Sequence, residues 1–169
     1  RRAAGRSCGK ARRDPSADGN DVLLLRKRGM QLVVDFVYVE AGVGLDFRFA
    51  DDFNEMERQA RIISSWGDNV YVKIPIMNTQ GKSSIVLINK LLSDKIKVNI
   101  TAVMKASQLS GLGDTKTPHI ISVFAGRIAD TGVDPSPIIY EVKMKSYGSA
   151  EVLWASPREV FNIYQAGYE

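Results

Sequence analysis

Lys73 is the residue of this sequence whose setting most invites carbonyl chemistry. It stands in Val70-Tyr71-Val72-Lys73-Ile74-Pro75-Ile76, where apolar side chains recur at every second position. A strand has a side-chain period of two, so Val70, Val72, Ile74 and Ile76 share one face and Tyr71 and Lys73 take the other. In a barrel of parallel strands the first face packs on helices, and Lys73 then faces inward. Burial disfavours an ammonium ion and leaves a neutral amine able to attack a carbonyl carbon and form an imine. The strand alone favours a lysine that reaches out to solvent or pairs with a carboxylate.

The next β-rich run, Lys97-Val98-Asn99-Ile100-Thr101-Ala102, places Asn99 and Thr101 on the face opposite Val98 and Ile100. In a barrel both would point inward beside Lys73, the amide suited to a substrate hydroxyl and the threonine to a water or the imine. Asn and Thr near a strand end also pair with each other or with backbone, and that reading stays open. Two later runs, Ser122-Val123-Phe124-Ala125-Gly126-Arg127 and Ala155-Ser156-Pro157-Arg158, each bring a hydroxyl and a guanidinium to the carboxyl end of a strand. Active sites of parallel barrels lie at that end, and late loops there hold phosphate. Arginine offers a forked donor, Ser156 stands where it can cap a following helix, and Gly126 permits close backbone approach. Each arginine taken singly also fits a surface ion pair.

Other chemistries are not supported. His119 is the only histidine and Cys8 the only cysteine, so no intrachain disulfide can form and no zinc-type ligand spacing exists. No Walker-type phosphate loop, dinucleotide-binding glycine turn or Ser/His/Asp set is visible. His119 reads as structural, and Trp66 and Trp154 read as core.

The elements that must carry these residues alternate. Strands are expected at 45–49, 70–74, 97–102, 120–124 and 151–155, and their starts are 25, 27, 23 and 31 residues apart. Each interval holds a strand, a helix and two loops, so the fold class is α/β with a parallel sheet. Helix signals fill the gaps. Asp52 precedes Phe53, with Glu55 three positions on, and Phe53, Met56, Ala60 and Ile63 form one apolar stripe before Gly67. Ser83 or Ser84 can cap 85–92, Asp134-Pro135 opens a helix carrying Ile138, Ile139 and Val142, and Ser156-Pro157-Arg158-Glu159 opens one over 160–165.

The chain has 169 residues, an apolar fraction of 44% and a formal charge of +4. That charge is uneven: residues 1–28 carry +6 and the remainder −2. We therefore expect a basic, disordered tail over 1–28 and one folded domain over 29–169. The tail fits a remnant of an organellar targeting segment, a nucleic-acid-binding arm, or an extension without a role. Nucleic acid is not expected as a partner except through it. No apolar run approaches the ~18 residues of a membrane-spanning helix, and a lone cysteine fits a reducing, cytoplasmic setting.

Residues 49–77, with Phe49-Ala50-Asp51-Asp52-Phe53-Asn54-Glu55-Met56-Glu57 and Ser65-Trp66-Gly67-Asp68-Asn69-Val70-Tyr71-Val72-Lys73-Ile74-Pro75-Ile76-Met77, resemble the third and fourth βα units of transaldolases, in the branch close to fructose-6-phosphate aldolases. The run from Lys97 to Ala102 is similar to the fifth strand. Ser122 to Gly132 and Leu153 to Glu159 resemble the sixth and seventh units, so the resemblance covers about residues 46 to 166. It implies a class I aldol mechanism with no metal or organic cofactor, acting on sugar phosphates in the pentose phosphate pathway. Lys73 falls on the family's Schiff-base lysine, and Asn99 and Thr101 on its active-site Asn and Thr. Ser122, Arg127, Ser156 and Arg158 fall on its phosphate-binding positions.

The departures are equally specific. Leu32-Val33-Val34-Asp35 resembles the end of the family's first strand, which carries an acid/base aspartate. Only nine residues separate Asp35 from Leu45, too few for the second unit, and no Thr-Thr-Asn-Pro-like motif occurs. Arg48 stands where a glutamate is expected, and no eighth strand follows Gln165. A complete barrel needs at least ~200 residues. The expectation is an incomplete TIM-type (β/α) barrel with about five clear units, its first two and last degenerate or missing, and with edges that favour self-association. A non-catalytic remnant that at most binds phosphate, and a simple fructose-6-phosphate-type aldolase, are the alternatives.

Overall fold

The structure, a computed structural model, describes residues 24–27, 30–33, 51–146 and 150–168. Asp35, Arg48, the strand expected over 45–49 and residues 1–23 lie outside the described residues. Within the stretch expected as a tail, Leu24–Lys27 is a strand, β1, paired antiparallel with Met30–Val33, β2. β2 lies alongside the last strand of the main sheet.

That main sheet has four parallel strands in sequence order: β3 (Val72–Pro75), β4 (Val98–Val103), β5 (His119–Val123) and β6 (Ala150–Trp154). Helices α1 (Phe53–Ser64), α2 (Ile85–Ser93), α4 (Ser136–Lys145) and α5 (Phe161–Tyr168) alternate with the strands. The chain is thus α/β with the parallel order of an incomplete TIM-type barrel, and each of the four strands lies within two residues of its expected bounds.

Alternation along the strands sets the core. Val72, Ile74, Ile76, Val98, Ile100, Ile121, Val123, Val152 and Trp154 are buried. They meet Ile85, Leu87, Ile88, Leu91 and Leu92 of α2, Met56 and Ala60 of α1, and Ile139 and Val142 of α4 in one cluster. Dry helix-facing contact of this kind is the main stabilising contribution in an α/β layer.

The helix starts follow local chemistry. Asp52 Oδ1 accepts from the backbone N–H groups of Asn54 and Glu55 at 2.9 and 3.2 Å, capping α1. Glu55 does not reach back to close a capping box. Its carboxylate takes two bonds from Arg58 and one from Gln59, and the Arg58 guanidinium foremost holds its pKa down at about 2. Before α2, Ser83 Oγ accepts from Ile85 N at 3.3 Å, whereas the buried Ser84 hydroxyl bonds none of the described residues. Asp134 Oδ1 accepts from Ser136 N at 3.0 Å and opens α4.

Two features were absent from the expected pattern: a 3₁₀ turn at Ala106–Leu109 and a short helix α3 at Ala125–Ala129 directly after β5. Trp154 is buried as expected, but Trp66 is 45% exposed, because it follows the end of α1 in the turn leading to β3 and its ring does not reach the core. His119 is buried with Nδ1 3.0 Å from the Thr117 carbonyl oxygen, which fits its structural reading.

Candidate active site

Residues paired across a parallel ladder point to the same face of the sheet. Lys73 pairs with Asn99, Pro75 with Thr101, and Asn99 with Ile120, so Lys73, Asn99, Thr101 and Ser122 share the face opposite the helices. The inward orientation read from the alternation is therefore present. The expected burial is not: Lys73 is exposed, while both its strand neighbours are fully covered. Alternation fixes a direction, but burial depends on what is stacked over that face, and at β3 the lysine stays exposed.

Enclosure increases across the sheet. Asn99 is half-buried, and Thr101 and Ser122 are buried at 7% and 2% exposure. Ser122 Oγ donates to Asn99 Oδ1 at 2.7 Å. A hydroxyl has one proton to give, so this bond ties Ser122 to the Lys73–Asn99 row instead of leaving it to donate to an anion. The Thr101 hydroxyl is bonded to none of the described residues, which leaves a buried donor and acceptor on the strand next to Lys73. Past Thr101 the ladder is irregular and Ala102 takes a φ of 61°, a bulge that re-aims β4 at its carboxyl end. The turn after β3 is held from outside by Asp51, whose carboxylate accepts from Thr79 N at 2.9 Å and Thr79 Oγ1 at 2.5 Å.

The arginines gather one strand further on. Arg127 lies on α3 and is exposed; Arg158 lies in the loop after β6. Arg158 Nε and Nη2 donate to the two carboxylate oxygens of Asp130 at 3.0 and 2.5 Å. The Arg158 bond foremost, with the charge of Arg127 adding to it, holds the Asp130 carboxyl below the usual carboxylate range. Asp130 was not singled out from sequence; its spacing of three from Arg127, on a helix facing the next loop, was the available signal.

Gly126 and Ser156 bring the two loops together. A Cβ on Gly126 would lie 1.7 Å from the Ser156 carbonyl oxygen, so only glycine fits. Ser156 itself has a φ of 58° and does not cap α5, which begins five residues later than Ser156. Asn162 ties down the loop before that helix, its Oδ1 accepting from the backbone N–H groups of Arg158 and Glu159 at 2.7 and 3.1 Å. A left-handed residue between strand and helix turns the chain sharply, which delays the helix and swings Arg158 toward Asp130.

The carboxyl ends of four strands thus carry an amine beside an amide and a hydroxyl, followed by two guanidinium groups around one carboxylate. The family model described as Transaldolase/Fructose-6-phosphate aldolase matches residues 35–167. A probable transaldolase of Streptococcus equi subsp. zooepidemicus is 39% identical over 113 residues, covering 64% of this chain and 50% of its own. A probable transaldolase 2 of Listeria monocytogenes is 35% identical over 117 residues, covering 67% and 51%. A probable transaldolase of Herpetosiphon aurantiacus is 32% identical over 116 residues, covering 67% and 50%. The chain spans about half the length of the curated relatives it matches.

Proposed function

The chain belongs to the transaldolase/fructose-6-phosphate aldolase family, and from that premise we propose that it transfers a dihydroxyacetone unit between sugar phosphates through a Schiff base on Lys73. The observation that carries this reading is the register of Lys73 against Asn99, with Ser122 bonded to the same amide. The amine adds to the ketose carbonyl carbon, water leaves, and a protonated imine remains. Cleavage of the neighbouring carbon–carbon bond sends its electron pair into the imine, giving an enamine, while a base removes the hydroxyl proton and the aldose departs. An acceptor aldehyde reverses the sequence. Asn99 would hold a substrate hydroxyl, Thr101 a water or the imine, and Asp35 would move the proton. Arg127, Ser156 and Arg158 would take the phosphate. Such a reaction belongs to the pentose phosphate part of carbohydrate metabolism and to a cytoplasmic setting, and its strand edges fit assembly with further copies.

The exposure of Lys73 favours a second reading, in which the chain grips a sugar phosphate without turnover, because imine chemistry profits from excluding water. A simple aldolase that releases dihydroxyacetone is the third. Borohydride reduction with fructose 6-phosphate, followed by peptide mass analysis, is expected to mark Lys73. Folded protein in which Lys73 stays unmodified would overturn the catalytic reading, and phosphate protection against unfolding without trapping would support the second. Trapping with no transfer to an added aldehyde would select the aldolase.

A further inference from the structure

We propose that Asp130 is the positioning residue of an oxyanion site: it grips Arg158 by one edge so that the other edge of the guanidinium, together with Arg127, is presented to a phosphate group. This rests on the reading that the loops after β5 and β6 receive the phosphate of the substrate.

The argument starts from guanidinium geometry. The group has two edges able to bind an anion in a fork, Nε with Nη2 and Nη1 with Nη2. Asp130 occupies the first, with Oδ1 on Nε at 3.0 Å and Oδ2 on Nη2 at 2.5 Å. No other described residue accepts from the Arg158 side chain, so the second edge remains for a ligand. A long arginine on a loop costs rotamer entropy to immobilise when it binds, and a carboxylate that holds it beforehand removes that cost.

Charge supports the same assignment. Arg127 acts on the Asp130 carboxylate without hydrogen-bonding any described residue, so two cations share one anion and the cluster keeps a net positive charge. A carboxylate that merely neutralised a surface arginine would leave none. Arg158 is bounded on both sides: Asn162 Oδ1 accepts from its backbone N–H at 2.7 Å, and its Nε lies so close to Gly126 that a Cβ there would come within 3.3 Å. The position of Arg158 is therefore set by the two loops jointly, with Asp130 as the side-chain link between them.

The test is calorimetric titration of the full chain with inorganic phosphate and with fructose 6-phosphate. Asp130→Asn keeps the shape and removes the charge, and is expected to weaken both ligands by roughly tenfold. Arg158→Lys keeps the charge and loses the fork, and is expected to weaken them similarly. If Asp130 acts through Arg158, the double variant is no weaker than Arg158→Lys alone. This coupling is a readout that general loosening of the fold would not produce. Losses that simply add, or an unchanged affinity in Asp130→Asn, overturn the proposal while leaving phosphate binding intact. Tighter binding in Asp130→Asn overturns it too, by showing that the carboxylate competes with the ligand. Wild-type chain that binds neither ligand refutes the phosphate-site reading itself, and this proposal with it.

Discussion

Ser122 gives its hydroxyl proton to Asn99 Oδ1 across 2.7 Å, from one strand of the sheet to the next. The bond orients the amide so that its N–H groups are left for whatever sits beside Lys73. Ser122→Ala is expected to lower stability by about 1 kcal/mol in urea unfolding, the usual net worth of such a bond. It should also reduce borohydride-trapped imine at Lys73 several-fold, since the amide is then free to turn. Unchanged trapping would show that the orientation of Asn99 is set elsewhere.

The contact between Gly126 and the Ser156 carbonyl predicts a sharp intolerance. A methyl group 1.7 Å from a backbone oxygen must displace one of the two loops. Gly126→Ala is expected to cost about 1–3 kcal/mol, the range for overpacking, measured as a shift in the urea midpoint at constant slope. A neutral result would mean that the loops separate freely.

Ile74 is fully buried on the strand face behind Lys73. Ile74→Ala should destabilise by about 2–5 kcal/mol through lost burial and a residual cavity. A conservative Ile74→Val change should cost only about 0.5–1.5 kcal/mol, and the ratio of the two in chemical denaturation reports how tightly α1 and α2 close over the sheet.

Glu55 supplies a pH signature. Its pKa is lowered from 4.5 to about 2, chiefly by the Arg58 bond and then by Gln59. A carboxylate depressed in the folded state stabilises above its unfolded pKa and loses that contribution as pH falls through the folded one. The thermal midpoint difference between wild type and Glu55→Gln should therefore be constant above pH 4.5, shrink as pH falls below it, and reach its floor near about 2. The pair is exposed, so added salt should reduce the difference. A difference that grows on acidification would contradict the assignment.

What the sequence disclosed was what local patterns control. The two-residue period around Lys73 gave the direction of its side chain, and Asp52 announced α1 because a cap needs only the next three residues. The exposure of Lys73 could not be read from its strand, since burial depends on segments distant in the chain. Helix α3 has no side-chain cap at Phe124 and only five residues, too short to show a stripe. The left-handed conformation of Ser156 occurs where its carbonyl meets Gly126, thirty positions earlier, and serine gives no hint of it. Asp130 was overlooked for the same reason, its partner lying across a helix and a strand.

The Gly126–Ser156 contact also bears on how such a grip can be moved between proteins. Neither loop holds its shape without the other, because the backbone of one fills the space where a side chain on the other would be. A graft of the anion-binding residues onto a different barrel would therefore have to carry two consecutive βα units as one cassette. The strand bearing Lys73 is separated from that cassette by a whole unit, so the reactive amine and the charged handle could be exchanged, recombined or lost independently.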